Sequence, residues 1–387
     1  MRIAILLSDV SYPPREGLHQ QSTMLASELQ SRGHTVTVFT YGRSTLFDAE
    51  RFAAETGVEV VMPPRRVHAG ALTGALQSGL PGSKAWTAQR YFAKRLHDGR
   101  FDAVHLEGAL ASAVPVRLPT HARVVMSWVD LGSSRYARLS QRSSGMARLK
   151  NVLAGVLYLG FEKRAAKRWR VWHFVSSSDA KHSQHRWPNV RAIIIPPMVP
   201  ARLYELEAVP VPQDVLVFAD LRQRYVRDAY LRYMAPAFQA PELAKRVRWK
   251  ILGRVPADPE LRSVEGDSLV EYLEWVDDYA QELKRARMVV LPDGIGSGIK
   301  NRFLQSLALG CVTIATPTAA EGVPAEDGKH FSSFDSPDDL PRLIARHLDH
   351  AQDDETLSSN AKLFARRAFH PEAVTSAWIY EYGRHDD

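Results

Sequence analysis

Residues 288–322, MVVLPDGIGSGIKNRFLQSLALGCVTIATPTAAEG, decide how the rest of the chain is read. Met288–Leu291 is an apolar run that stops at Pro292, the pattern of a strand buried on both faces. Gly294, Gly296 and Gly298 space a loop, and from Lys300 the spacing turns helical. Phe303, Leu304, Leu307 and Ala308 then share one face, and Gly310 supplies the stop. Val312–Ala315 is a second apolar run, closed by Pro317. Strand, glycine loop, helix and strand make a βαβ unit, which puts the loop at the carboxyl edge of a parallel sheet, where such folds bind ligands. Backbone N–H groups at a helix start, with a lysine beside them, suit the phosphates of a nucleotide. Glycine loops also end many purely structural βα units, and the residues alone leave both readings open.

With 387 residues and 45% hydrophobic content, the chain is expected to be globular with two domains. The apolar start Ile3–Leu7 reaches Ser8 and Asp9 too soon for a signal-peptide core, and no apolar stretch is long enough to span a bilayer. One cysteine, Cys311, excludes an internal disulfide and a cysteine-cluster metal site. These features point to a cytoplasmic protein. Residues 1–200 hold 27 Lys and Arg against 13 Asp and Glu, or +14, while residues 201–387 hold 23 against 30, or −7. The basic half expects an anionic partner: a membrane surface, a pyrophosphate-linked acceptor or nucleic acid. Nucleic acid is the weakest of these, because no DNA- or RNA-binding motif accompanies the basic residues.

Taken in order, residues 2–8 form a first buried strand, followed by a turn-rich loop to Gly17, a helix over Leu18–Ser31 ended by Gly33, and a strand over Val36–Thr40. This Rossmann-like opening lacks GxGxxG, which argues against NAD. Prolines and glycines over residues 58–92 predict a long loop, and His105 in Phe101–Glu107 reads as a packed strand histidine. After the strand at Val124–Met126 comes Asp130, which either caps the Gly132–Ser134 turn or hydrogen-bonds a ligand. Met146, Leu149, Val152, Leu153, Val156 and Leu157 form an apolar helical stripe that runs into the basic segment 162–170. Packing against a sheet explains such a stripe, and its basic end also suits an anionic membrane surface. Pro196, Pro197, Pro200, Pro210 and Pro212 mark an interdomain connector, and Val215–Ala219 opens the second half. Helices are expected over Ala280–Ala286, Pro337–His350, Glu355–Phe369 and Pro371–Tyr382. HExxH, GxSxG, Walker A and Asp-x-Asp metal signatures are all lacking.

The 288–322 stretch resembles the donor-binding segment of retaining, family-4-type glycosyltransferases of the GT-B fold. It is most similar to sugar transferases of bacterial exopolysaccharide clusters, through GSGIKN ending at Asn301 and AEG at Ala320–Gly322. That resemblance implies an α/β protein of two Rossmann-like domains facing across a cleft. Residues 1–200 would bind the acceptor, 201–369 the nucleotide sugar, and 370–387 would form a helix crossing back to the first domain. It implies transfer of a sugar from a nucleotide-diphosphate donor to an acceptor hydroxyl, with retention, without metal or other cofactor, in exopolysaccharide or glycoconjugate assembly. Donor contacts are implied for Gly17, Arg222, Arg224, Trp275, Val276, Gly296, Ser297, Gly298, Ile299, Lys300, Asn301, Gln305 and Glu321. Asp130, Lys300 and Arg222 would carry the chemistry. The acceptor would be a glycan, a lipid-linked or another anionic molecule, and the enzyme would lie in the cytoplasm, peripheral on the inner face of the cell membrane. Three departures from the family pattern stand out: Gln305 replaces the usual glutamate, Val129 replaces the histidine before Asp130, and Asp220 replaces a glycine. They favour, as alternatives, a non-catalytic nucleotide-sugar-binding protein; a GT-B-fold epimerase would need acid and base carboxylates that the sequence does not display.

Overall fold

The computed structural model describes every residue except 8–10, 13, 15–16, 42–47, 65–66, 68–70, 113–120, 130, 142, 275, 277, 295–298 and 385–387. The chain forms two compact units, Met1–Met198 with Glu372–Asp387, and Val199–Pro371. Each is built on a parallel sheet of short, apolar strands.

The first unit runs β1 (Arg2–Leu7), α1 (Gly17–Ser31), β2 (Thr35–Thr40), α2 (Ala49–Thr56), β3 (Glu59–Val61), α3 (Ala71–Gln77), α4 (Lys84–Asp98), β4 (Ala103–Glu107), α5 (Gly108–Ser112), β5 (Arg123–Val129), α6 (Gly132–Gln141), α7 (Gly145–Arg168), β6 (Val171–Phe174), α8 (Ser177–Arg186) and β7 (Arg191–Ile194). Its strands lie in the order β3-β2-β1-β4-β5-β6-β7. Ile3, Ala4, Ile5 and Leu6 are all fully buried, which is what a central parallel strand covered on both faces requires. The long loop expected over residues 58–92 is not found: β3, α3 and α4 occupy most of that stretch. The Ser83 hydroxyl accepts the Trp86 N–H at 3.1 Å and caps α4, whose Ala85, Ala88, Phe92 and Leu96 enter the core. A cap and an apolar face at helical spacing outweigh the loop-like composition around them.

The sequence stripe on α7 also corrects an expectation. Met146, Leu149, Val152, Leu153 and Val156 do not pack on the sheet; they are exposed, and Leu157 is half-buried. The buried side of α7 is instead set by Ala154, Phe161, Glu162 and Ala165. Glu162 takes the Ser133 backbone N–H at 2.9 Å and the Ser133 hydroxyl at 2.7 Å, fastening α7 to the start of α6. Burial pushes the Glu162 carboxyl above its usual pKa, partly offset by those two hydrogen bonds. A Cβ at Gly132 would come within 2.1 Å of the Tyr158 ring, so the two helices meet only because that position is glycine.

The closing helix, α17 (Pro371–Gly383), belongs to this unit: Val374, Trp378 and Tyr382 join the cluster that contains β1 and β2. The Trp378 ring lies 4.9 Å from that of His105 and 4.5 Å from that of His173. Tyr382 Oη meets His105 Nδ1 at 2.7 Å, so His105 is a packed strand residue. His173 is held neutral. Its Nε2–H donates to the Ile195 carbonyl at 2.8 Å, leaving Nδ1 to accept from Ser127 Oγ at 2.9 Å. Burial lowers its pKa from 6.5 to about 3. The unfolded chain therefore takes up a proton that the folded chain refuses, so this contribution is complete above pH 6.5 and is lost as pH falls toward 3. At pH 5 the loss amounts to about 2 kcal/mol. Urea denaturation at pH 7 and pH 5 should show that drop in the parent chain and a smaller one in His173→Gln; equal drops would assign the acid sensitivity to other groups.

The second unit contains α9 (Arg202–Glu205), β8 (Asp214–Phe218), α10 (Arg224–Gln239), β9 (Arg248–Leu252), α11 (Pro259–Glu265), β10 (Leu269–Leu273), α12 (Tyr279–Arg285), β11 (Met288–Leu291), α13 (Asn301–Leu309), β12 (Val312–Ala315), α14 (Pro317–Ala320), β13 (Ser332–Ser333), α15 (Asp339–Asp349) and α16 (Ala351–Phe369). Its sheet order is β10-β9-β8-β11-β12-β13. Both runs of the opening stretch are strands with the expected limits, and Gly310 ends α13 at φ 81°, left-handed backbone that glycine adopts without strain. Cys311 is buried behind it, which pushes its thiol up to about 12. The proline-rich stretch is no free connector. Val199, Leu203 and Tyr204 are buried in this unit, and the Val209 and Val211 N–H groups bond the Lys284 and Arg285 carbonyls. A buried chain of Ser332, His347, Asp354 and Arg287 ties β13, α15 and α16 together, with the Asp354 charge met by Arg287.

Candidate functional site

In the second unit, β8 and β11 are neighbours, yet the chain leaves β8 toward β9 and β10 and leaves β11 toward β12. Strand order therefore reverses between them, and open α/β sheets bind ligands outside the carboxyl ends of the strands at such a point. The turn after β8 carries Arg222, and the glycine loop after β11 leads to Lys300.

The loop is fastened at both ends. Asp293, buried just past β11, pairs with Arg302 in the first turn of α13, and its carbonyl accepts the Thr316 hydroxyl at 2.7 Å. Thr316 in turn caps α14 through the Ala319 N–H. Ile299 packs against the core, half-buried Lys300 is the N-cap of α13, and Asn301 is its first residue. Gln305 follows one turn on and is buried. Glu321 is exposed at the end of α14, and Val276 is half-buried beyond β10. Gly296, Ser297, Gly298 and Trp275 lie outside the described residues.

Across the switch, Arg222 is exposed, and among the described residues it enters no ion pair. Arg224 opens α10, also exposed, 3.8 Å from Asp228. Asp220 is held by Arg254 and by Gln223 Nε2 at 3.2 Å. Burial works to raise its pKa, but the hydrogen bonds from Arg254 and Gln223 outweigh that and hold it below the usual value. The carboxylate that replaces the family glycine is thus neutralised locally. At the end of β9, Gly253 has φ 148°, and a Cβ there would fall 2.2 Å from the Ala219 carbonyl oxygen.

The first unit has its own switch point, between β1 and β4. Gly17 opens α1 beside it. At the end of β4, Glu107 is buried, accepts the Ser22 hydroxyl at 2.7 Å and lies 3.8 Å from His105 Nε2. Sequence reasoning passed over Glu107; its one signal was a carboxylate ending an apolar strand. Asp130 lies outside the described residues, but its neighbour carries information. Val129 has φ 64° and sits at a break in the β5–β6 register. A β-branched residue in that region costs of order 1–3 kcal/mol, and such strain clusters at functional sites. Nothing in the sequence pattern announced it.

Each sheet thus has a switch point in its strand order, the kind of place at which open α/β sheets bind ligands. A family model for glycosyltransferase family 4 matches residues 16–202, and one for glycosyl transferases group 1 matches residues 213–350. No curated protein matches the sequence. Among solved structures, HepE of Anabaena in complex with UDP and glucose superposes over 98% of both chains with a TM-score of 0.69 and 13% identity. Sucrose-phosphate synthase of Thermosynechococcus elongatus covers 98% of both at TM-score 0.68 and 16% identity. WaaG, a glycosyltransferase involved in lipopolysaccharide biosynthesis, covers 99% of this chain and 100% of its own at TM-score 0.68 and 16% identity. At such identities the likeness speaks for the GT-B fold.

Proposed function

The chain belongs to the family-4 glycosyltransferases, and on that premise we propose that it moves a sugar from a nucleotide-diphosphate donor to an acceptor hydroxyl with retention of configuration. The observation that carries this reading is the pair of cationic loops at the β8–β11 switch, Arg222 on one side and the N-terminus of α13 with Lys300 on the other. The donor diphosphate rests on the N–H groups of residues 297–300, and Lys300 and Arg222 meet the charge that grows on it as the glycosidic bond breaks. Positive groups fixed there before reaction stabilise the transition state more than the ground state. No resident metal is needed for that task. The departing phosphate helps deprotonate the acceptor on the same face, and Asp130 and Glu321 hold hydroxyls of acceptor and sugar. Gln305 accepts from the ribose through its amide oxygen, without the charge-assisted strength a glutamate would add. Trp275 and Val276 flank the base.

HepE is recorded with UDP and with UDP-glucose, which supports a uridine-diphosphate sugar as the first donor to try. The net charge of the first 200 residues supports an anionic or lipid-linked acceptor, and with it a role in surface-polysaccharide or glycoconjugate assembly at the inner face of the cell membrane. Thermal melts against UDP-, GDP-, dTDP- and ADP-sugars test the donor claim. One nucleotide should raise the melting temperature in the parent chain and fail to do so in Lys300→Ala. If none does and Gln305→Glu restores a shift, the chain is a binding protein with a degenerate site.

A further inference from the structure

We propose that the outward face of α7 is a docking surface for an anionic lipid bilayer, its apolar half entering the lipid and its basic half resting on the headgroup phosphates. Met146 is 78% exposed, Leu149 61%, Val152 46%, Leu153 59% and Val156 61%. Five apolar side chains side by side on the outside of a folded unit are not scattered surface residues; contiguous apolar patches of this kind mark interaction sites. They share one face of the helix, and Leu149, Leu153 and Val156 lie on a line in which 149, 153, 156, 160, 163 and 167 recur at spacings of three and four. Along that line the chemistry changes from Leu149, Leu153 and Val156 to Lys163 and Lys167, with Arg164 beside them.

The charges select the partner. Arg148, Lys150, Lys163, Arg164 and Lys167 are exposed, and among the described residues none has an acidic partner. The one acid of α7, Glu162, is turned inward onto Ser133. Asp179, the only other acid between residues 142 and 191, is buried and accepts from Ser176. An anionic surface thus meets no opposing charge on this helix. The apolar side chains are all aliphatic or methionine, without the aromatic anchors that dominate protein interfaces. From Met146 to Leu159 the helix rises about 20 Å, and no helix among the described residues is long and apolar enough to cross a membrane, so α7 lies along the surface. Apolar burial and attraction to anionic lipid together give two signals, the minimum for stable attachment. The claim deepens the transferase reading by placing its acceptor at a membrane, but it stands on α7 alone.

Flotation of the chain with vesicles of phosphatidylcholine, alone or mixed with phosphatidylglycerol, tests it. Binding is expected only to the mixed vesicles and should weaken as salt rises. The double substitution Leu149→Glu with Val156→Glu should lower partitioning at least about tenfold. Lys163→Glu with Lys167→Glu should do so at low salt, with a smaller difference at high salt. All four positions are exposed, so unchanged melting curves serve as the folding control, and Leu149→Gln with Val156→Gln replaces the first pair should it melt early. Donor-induced melting shifts should be the same in every variant, which separates failure of docking from failure of the transferase reading. Absent binding to the mixed vesicles, or binding undiminished by the apolar pair, would overturn the proposal. So would a dimer in solution that the apolar pair dissolves, since the face would then belong to a second copy of the chain.

Discussion

Lys300→Ala lowers the rate of sugar transfer at saturating donor by about a hundredfold or more, the largest effect expected of any single substitution here. The reason lies in when the charge is needed. In the proposed transfer, a cation at the N-cap of α13 would attract the bound diphosphate, but would attract the leaving nucleotide more, because a full negative charge collects there as the bond breaks. Removing it should therefore depress kcat as well as kcat/KM, rather than raising KM alone. A factor of one hundred corresponds to about 2.7 kcal/mol, the size found when one pre-organised donor is removed from a site of developing charge. Lys300→Arg keeps the charge on a longer, planar head and should recover part of the rate. Initial rates over a range of donor concentrations decide the matter. A kcat within about twofold of the parent would remove Lys300 from the chemistry and leave Arg222 to carry it.

Trp378→Ala should destabilise the first unit by about 3–5 kcal/mol, the usual cost of emptying a buried tryptophan site. Trp378 is the hinge of the contact between α17 and the sheet, wedged against the rings of His105 and His173. Its loss leaves a cavity over two buried imidazoles whose hydrogen bonds depend on dry surroundings. In a domain of this size each kcal/mol moves the melting point by about 2–4 °C, so the variant should melt about 6–20 °C below the parent. Tyr382→Phe is the milder companion. It removes only the bond to His105 Nδ1 and should cost about 1–3 kcal/mol. Calorimetry on the three proteins checks the order. A Trp378→Ala protein that melts with the parent would show that α17 adds little to the unit it packs on.

Much of the fold could be read before any coordinates. Strands that are buried on both faces must be continuously apolar, and turn residues must end them, so Met288–Leu291 and Val312–Ala315 announced themselves to the residue. The helix between them followed from an apolar face and a left-handed glycine at its end. Candidate donor residues in the second unit were legible for a related reason. Loops that hold phosphate do so with backbone, so glycine spacing and an adjacent lysine are written into neighbouring positions. The first unit was less open. Residues 58–92 looked like a loop because prolines and glycines punctuate them up to Gly82, while the Ser83 cap and four spaced apolar residues of α4 decided otherwise. Glu107 acquires its meaning from Ser22, eighty-five positions away, and His105 from Tyr382, at a separation of 277. The left-handed backbone at Val129 is imposed by the register break beside β6.

The sequence by itself determined the α/β class, the two parallel sheets and the position of the glycine-spaced loop proposed to meet a diphosphate, since each is a local pattern of burial and backbone chemistry. Only the tertiary structure decided which way α7 turns. Helical periodicity states which residues share a face and is silent on whether that face looks inward. In this protein the bonds from Ser133 to Glu162 and the close approach of Tyr158 to Gly132 set the rotation, and they leave the aliphatic line on the outside. Long-range contacts of that kind fix a helix by its polar anchor rather than by its greasiest side, which no local pattern can report.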